Sequence, residues 1–532
     1  MKPIAVPGLP ERSPGTQVTR SDVARSDVAP RPAPHHRVAI IGAGFAGLGM
    51  AIRLLQSGEQ DFVVLEKADE VGGTWRDNTY PGCQCDVASN IYSFSFAPNP
   101  HWSRTYAWQG EIFDYLKDCT ERFGVRPFIR LGTELQAAHW DNAEQRWQLR
   151  TSRGAFSADV LVLGHGGLSA PAQPDIPGFD RFKGTVFHSA AWRHDHDLSG
   201  ERVAVIGTGA SAIQIVPAIQ PKVGKLTLFQ RTAPFVIERI DPQHGPLRRK
   251  LYAYLPFAQK LSRLREYASR ELVVLGLLKH ERMERFRSFA LKHLRTQVQD
   301  PVLRKKLTPK FTLGCKRILL SNDYYPALAQ PNAEVVTERI LEATETGVVT
   351  ADGTHHPLDT IVLCTGFKVT DHPVMNLLYG RDGRSLAEHW SGGAAAYLGL
   401  NAAGFPNLFL LSGPNTALGH SSIIYMLESQ FTYVLDGLSA LRERGAAALE
   451  VRAEAVEEFC DGLQKKLVGT VWSSGCASWY MDANGRNTTI WPDFTFNYRK
   501  RTRRLDRGAY LFEERRASAQ AEPAAPGVRA AS

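Results

Sequence analysis

Arg37-Val-Ala-Ile-Ile41-Gly42-Ala-Gly44-Phe-Ala-Gly47-Leu-Gly-Met-Ala-Ile-Arg-Leu-Leu55 decides the architecture. A short apolar strand runs into three glycines spaced GxGxxG, and an apolar helix follows at once. Glycine permits the tight turn and close backbone approach, and the amides that open the helix face an anion, typically a pyrophosphate. The next strand, Phe62-Val-Val-Leu65, ends in Glu66, at the distance where an acid accepts hydrogen bonds from a ribose.

The pattern recurs downstream. Val203-Ala-Val-Ile206 feeds Gly207-Thr208-Gly209-Ala-Ser211-Ala212, and the following apolar segment ends at Gln230-Arg231-Thr232. Glu66 and Arg231 each stand twenty-four residues past the first glycine of their copy (42 to 66, 207 to 231). Their charges are opposite. A carboxylate there suits the ribose hydroxyls of FAD or NAD, whereas an arginine pairs with the 2′-phosphate of NADP. The expected fold is α/β, with two Rossmann-like dinucleotide-binding domains, one for FAD and one for NADPH, and a helical insertion in the second.

At 532 residues the chain has room for about three packed units. Residues 1–36 and 516–532, rich in Pro, Arg, Ser or Ala without apolar periodicity, are expected to be disordered tails. The division between them is expected as 37–170 with 375–515 for FAD, 171–241 with 306–374 for NADPH, and 242–305 for the insertion. There Met283, Phe286, Ala290 and Leu294 recur at spacings of three and four, a helix face. Its Leu272-Val-Val-Leu-Gly-Leu-Leu278 run, beside basic residues, admits weak contact with a membrane surface, although packing within a helical lid is the expected reading.

No apolar run approaches the roughly 18 residues that span a bilayer, and no signal-like segment opens the chain, so a soluble cytoplasmic protein is expected. Seven scattered cysteines suggest neither a disulfide framework nor a zinc ribbon. The net charge of +9 is spread along the chain, which reads as a solvated basic face rather than a nucleic-acid surface. His194-Asp-His-Asp197 alternates within a polar linker, and no metal is expected.

Two further stretches carry chemistry. Gly72-Gly-Thr74-Trp75, Tyr80-Pro-Gly82 and Cys85-Asp86 through Tyr92 form a segment too rich in Gly, Trp and Tyr for a plain helix. It reads as a loop around something planar, with Trp75 and Tyr92 as stacking area and Asp86 as its strong acceptor. Lys316-Arg317 sets two cations side by side in an apolar setting, which is costly unless they meet anions.

Between the copies lies Phe182-Lys-Gly184-Thr-Val-Phe-His188-Ser-Ala-Ala-Trp192. With the motifs above, Thr365-Gly366-Phe367 and Ser478-Trp479-Tyr480, the chain resembles the class B flavin-dependent monooxygenases over about residues 37 to 510, and within them the type I Baeyer-Villiger monooxygenases. Trp192 stands where flavin-containing monooxygenases usually carry Tyr or Phe. The resemblance implies that NADPH reduces FAD, that O2 adds to give a flavin C4a-peroxide, and that this attacks a ketone to yield an ester or lactone. It implies a catalytic Arg317 oriented by Asp86, a 2′-phosphate held by Arg231, Thr232 and Lys316, and Trp479 on a mobile segment that folds over the cofactor.

Two positions depart from the family pattern, Arg193 after the linker fingerprint and Gln84 where Arg is frequent. His188 reads as a hydrogen-bonding hinge rather than an acid or base. The rival readings are oxygenation of a sulfide or amine, a flavin disulfide reductase, and an NADPH-sensing flavoprotein without turnover. The particular ketone and the oligomeric state stay open.

Overall fold

The computed structural model describes residues 33–516 except 477. Nearly all of the two expected tails therefore lies outside the described residues. The first strand runs His35–Ile41, two residues earlier than expected, because His35 and His36 already pair with Ser157 and Ala158.

This strand sits between Phe62–Leu65 and Gly154–Leu163, parallel to both. The sheet runs Leu378–Tyr379, Leu135–Asp141, Arg146–Thr151, Gly154–Leu163, His35–Ile41, Phe62–Leu65, Ile129–Arg130, with Leu408–Leu410 also paired to Gly154–Leu163. Val38, Ala39 and Ile40 are fully buried, as expected for a parallel strand covered on both faces. The helix Phe45–Gln56 lies against the long helix Ile423–Arg444, so closely that a Cβ on Gly49 would come within 2.5 Å of the Phe431 ring.

The second sheet is wholly parallel, in the order Ala333–Val336, Lys225–Phe229, Arg202–Ile206, Thr360–Leu363, Thr185–His188. An antiparallel three-stranded ribbon, Ile340–Thr344, Gly347–Thr350 and His355–Pro357, joins its outer strand to the Thr360 strand. In both sheets the strand before the glycine turn is central, so each turn opens at the carboxyl edge where such folds bind ligands.

Five helices fill the insertion: Pro246–Tyr254, Pro256–Leu277, His280–Glu284, Arg287–Gln297 and Pro301–Lys306. The two-residue strands Val236–Ile237 and Leu319–Leu320 pair in parallel across its base. Met283, Ala290 and Leu294 are buried as their spacing predicts, but Phe286 is exposed. The helix breaks there and Phe286 caps the next one, so it leaves the stripe. The Leu272–Leu278 run divides: Val274 and Leu277 pack inward while Leu272, Val273 and Leu275 face out.

Cys315 and Cys476 form a disulfide across 161 residues of sequence, their Cα atoms 6.4 Å apart. This corrects the expectation drawn from cysteine spacing. A single long-range pair has no local pattern to betray it. Among the described residues no three His, Cys, Asp or Glu side chains gather as a metal site; His194 meets Thr79, and His196 meets Glu201 and Thr360.

Burial pulls three buried histidines below their ordinary pKa: His188, and His244 and His372 to about 4. Each is neutral when folded and takes a proton on unfolding below about pH 6.5. Their contribution to stability is therefore present above that pH and lost as pH falls, by up to about 1.4 kcal/mol per histidine per pH unit. The urea-unfolding midpoint should drop between pH 7 and pH 5; an unchanged midpoint would contradict the neutral assignment.

Candidate active site

The first glycine turn is shaped for an anion. A Cβ on Gly47 would lie 1.8 Å from the Gly42 carbonyl oxygen, and one on Gly42, at φ +96°, would lie 2.8 Å from that of Gly164, so these two glycines serve packing. Gly44 is different, with Gly73 at an ordinary 3.6 Å. The helix it opens has no capping side chain and no acid in its first turn, which leaves the positive end of its dipole to a ligand. Glu66 is buried; its Oε2 accepts from the Ala43 amide at 2.7 Å, and its Oε1 from the Ala68 amide at 3.0 Å and Arg76 at 3.1 Å. A carboxylate has about four acceptor positions, so about one remains for a ribose hydroxyl.

Thr74–Asp77 form one helical turn, stitched by the Asn78 amide to the Thr74 carbonyl. Trp75 donates from Nε1 to the Tyr92 hydroxyl at 3.1 Å, and Phe45 packs edge-on to Tyr92 at 5.2 Å. These rings make an aromatic wall beside the turn. A cavity of about 390 Å³ opens farther on, between Lys67, Arg76 and Glu134 on one side and Ala190 and Phe367 on the other.

In the second turn, Gly207 at φ +115° leaves no room, since a Cβ would stand 2.2 Å from the Cys364 carbonyl oxygen, while the space around Gly209 is open. Ala212, fully buried, takes the place that Gly47 has in the first copy. Thr208 donates to the Thr232 carbonyl at 2.9 Å and so ties the turn to the strand end that carries Arg231. Ser211 stands at the N-terminus of the helix Ala212–Ile219 without a capping bond of its own. Burial lowers the pKa of Lys316, and Arg231 lowers it further. Among the described residues neither cation meets a carboxylate, so the donor set fits a phosphate.

A bidentate ion pair joins the loop after the first glycine turn to the segment that closes the insertion. Arg317 grips Asp86 with two parallel bonds, Nε to Oδ2 and Nη2 to Oδ1, both 2.7 Å. Both side chains are about a third exposed or less, at 32% and 27%. Burial pushes the Asp86 carboxyl up, but the guanidinium outweighs it and holds the group below its ordinary pKa. The Asp86 carboxylate in turn raises that of Arg317. Tyr480, buried and 4.5 Å from the half-exposed Trp479 ring, also lies near this pair.

Sequence reading singled out Gln84, two residues before Asp86, but missed the residues that hold it. Gln84 donates to the Tyr106 carbonyl and to Asp241 and accepts from Arg239 at 2.6 Å, while Gln214 bonds both the amide and carbonyl of Gln84. Arg270 of the insertion reaches the Tyr106 hydroxyl. No motif marks these positions. Arg239 offers a guanidinium beside Gln84, where the resembled family often has one at that position itself.

The linker fingerprint lies apart from these groups, at the edge strand Thr185–His188. A Cβ on Gly184 would strike the Phe182 ring and the Asp359 carbonyl oxygen, and Phe187 packs edge-on to Trp192 at 5.0 Å. His188 accepts the Ala190 amide at Nδ1 and donates from Nε2 to the Gly366 carbonyl at 3.1 Å. Both ring nitrogens are thus committed to positioning. Arg193, the other departure, pairs with Asp195, two residues on.

Flavin-binding monooxygenase-like proteins form the family whose model matches residues 35–377. A Baeyer-Villiger monooxygenase of Streptomyces coelicolor is 52% identical over 90% of this chain and 92% of its own length. Another, from Pseudomonas aeruginosa, is 47% identical over 94% and 95%. Among solved structures, cyclohexanone monooxygenase in its closed form superposes with a TM-score of 0.81 at 29% identity, over 91% of this chain and all of that one. Steroid monooxygenase bound to NADP gives 0.80 at 32%, over 90% and 100%. The chain belongs to the flavin-binding monooxygenases, and within them to the Baeyer-Villiger type.

The disulfide joins the residue before Lys316-Arg317 to the segment that carries Trp479. Peptide mapping without reductant should recover a Cys315–Cys476 crosslink. Burial pushes the Cys83 and Cys364 thiols up to about 12 and Cys119 to about 11, and all five free thiols are buried. Alkylation at pH 8 should label none of the five until the chain is unfolded; rapid labelling of the native protein would refute this burial.

Proposed function

We infer that this chain is an NADPH- and FAD-dependent Baeyer-Villiger monooxygenase, which inserts one oxygen atom of O2 beside a ketone carbonyl and releases an ester or lactone. The observation that carries the reading is the bidentate Arg317–Asp86 pair set next to Lys316. When bound, FAD reduced by NADPH activates the oxygen.

The chain's own residues supply the rest. The amides after Gly42 and Gly44 would receive the FAD pyrophosphate, Glu66 would take a ribose hydroxyl, and Thr74, Trp75 and Tyr92 would contact the flavin. Gly207, Thr208, Gly209 and Ser211 would receive the NADPH pyrophosphate, Arg231, Thr232 and Lys316 would hold the 2′-phosphate, and Trp479 would contact the cofactor. A guanidinium carries about five N–H donors. Asp86 occupies two, which leaves about three for a substrate oxygen as negative charge develops on it. Arg317 stays protonated throughout, so it acts by fixed charge and orientation rather than by proton transfer.

The two sheets support the division proposed from sequence: 37–170 with 375–515 for FAD, 171–241 with 306–374 for NADPH, and 242–305 inserted. Five free thiols favour the cytoplasm, whereas the Cys315–Cys476 disulfide counts toward an oxidising compartment.

Arg317→Ala, loaded with FAD, should lose ketone-to-ester turnover by about 100- to 1,000-fold. Paired ketone and sulfide substrates assayed under air identify the chemistry: an enzyme that oxidises only the sulfide overturns this reading. Arg231→Ala removes an exposed side chain, so thermal stability should hold while KM for NADPH rises about tenfold or more and KM for NADH does not move.

A further inference from the structure

The helix Pro256–Leu277 carries an exposed apolar stripe. Val274 and Leu277 pack inward at its last turns and Tyr267 stacks on Tyr425, but before them the protein-facing side is mostly polar: Gln259 donates to the Asn99 carbonyl at 2.7 Å, Arg263 to the Ser93 carbonyl at 3.0 Å, Glu266 accepts from Asn90 at 2.9 Å, and Arg270 reaches Tyr106. The opposite side presents Phe257, Leu261, Leu264, Ala268, Leu272 and Leu275, all exposed, at steps of three and four. A helix on a soluble protein normally buries such a stripe. Here Phe257 is 75% exposed, Leu264 60% and Leu272 65%.

The preceding helix, Pro246–Tyr254, extends the patch with Leu247 at 82% and Tyr254 at 81% exposed. Tyr252 clasps the two helices together, accepting from Arg248 at 2.9 Å and donating to Ser262 at 2.7 Å. Besides the inward-bonded Arg263, residues 246–265 hold five cations, Arg248, Arg249, Lys250, Lys260 and Arg265, and no acid; the next residue, Glu266, bonds inward to Asn90. Among the described residues, Lys250, Lys260 and Arg265 meet no carboxylate.

We propose that this hairpin docks the enzyme on an anionic lipid surface, the apolar stripe lying in the headgroup boundary and the cations meeting lipid phosphates. An apolar face with aromatic residues and a basic margin is the composition that lies in a membrane interface, and no helix of the described chain is long and apolar enough to cross one. A second copy of this chain fits poorly. Symmetric pairing would bring the same unneutralised cations together, whereas lipid phosphates neutralise them. The polar anchors on the inner side hold the hairpin in place, so docking requires no rearrangement.

Flotation of the full-length, FAD-loaded enzyme with vesicles tests this. It should rise with vesicles of phosphatidylglycerol and phosphatidylcholine, remain unbound with phosphatidylcholine alone, and dissociate as salt approaches about 0.5 M. The double substitution Leu261→Asp and Leu264→Asp should weaken vesicle binding by about tenfold or more, as should Lys250→Glu with Lys260→Glu. All four side chains point outward, so both variants should keep native flavin absorbance and turnover of a water-soluble ketone. Failure of the native enzyme to bind anionic vesicles overturns the proposal, as does binding that survives the leucine substitutions. A concentration-dependent dimer that Leu261→Asp and Leu264→Asp abolish would assign the face to a second copy instead.

Discussion

The two parallel bonds between Arg317 and Asp86 hold together segments that the chain separates by 231 residues. Each partner answers a need of the other. An aspartate in that aromatic loop, largely removed from water, would drift toward its neutral form, and an arginine beside Lys316 would repel its neighbour without an anion near it. Paired, both keep their charge. The pair also has direction: a guanidinium gripped on one edge presents its other edge at a fixed angle, which a lysine in the same place would not do. Because Asp86 belongs to the loop after the first glycine turn and Arg317 to the segment that closes the insertion, the interaction requires both sheets to be built before it can form.

Much of this was legible in the sequence because it rests on short-range rules. The glycine turns, the strands that feed them and the opposite charges of Glu66 and Arg231 depend on neighbours within about 25 residues, and a pattern of that length can be read directly. Val236–Ile237 pairing with Leu319–Leu320, the brace of Gln84 by Gln214, Arg239 and Asp241, and the bond from Cys315 to Cys476 depend instead on where distant segments meet. Nothing local announces them. Phe286 shows the converse failure: the periodicity was sound, but a helix break removed one member from its face.

The glycines divide by purpose in a way that their spacing alone conceals. Gly42, Gly47 and Gly207 are required because protein atoms stand where a Cβ would go. At Gly44 a Cβ would meet Gly73 only at an ordinary contact distance, and at Gly209 it would meet nothing. The same letter thus marks a packing constraint at one position and an unstrained turn residue two positions away. The linker fingerprint falls in the first category, since Gly184 exists to accommodate the Phe182 ring and His188 spends both nitrogens on backbone partners.

The parallel pairing of Val236–Ile237 with Leu319–Leu320 makes the insertion a closed excursion, which leaves and rejoins the frame at one fixed point. Lengthening such an excursion is inexpensive, since the entropy of closing a loop grows only with the logarithm of its length. Relatives of this enzyme can therefore lengthen, shorten or re-sequence those five helices without displacing the arginine that emerges from them. The fold separates what must stay constant from what is free to diversify, and evolution of substrate range or cellular attachment can proceed without renegotiating the chemistry.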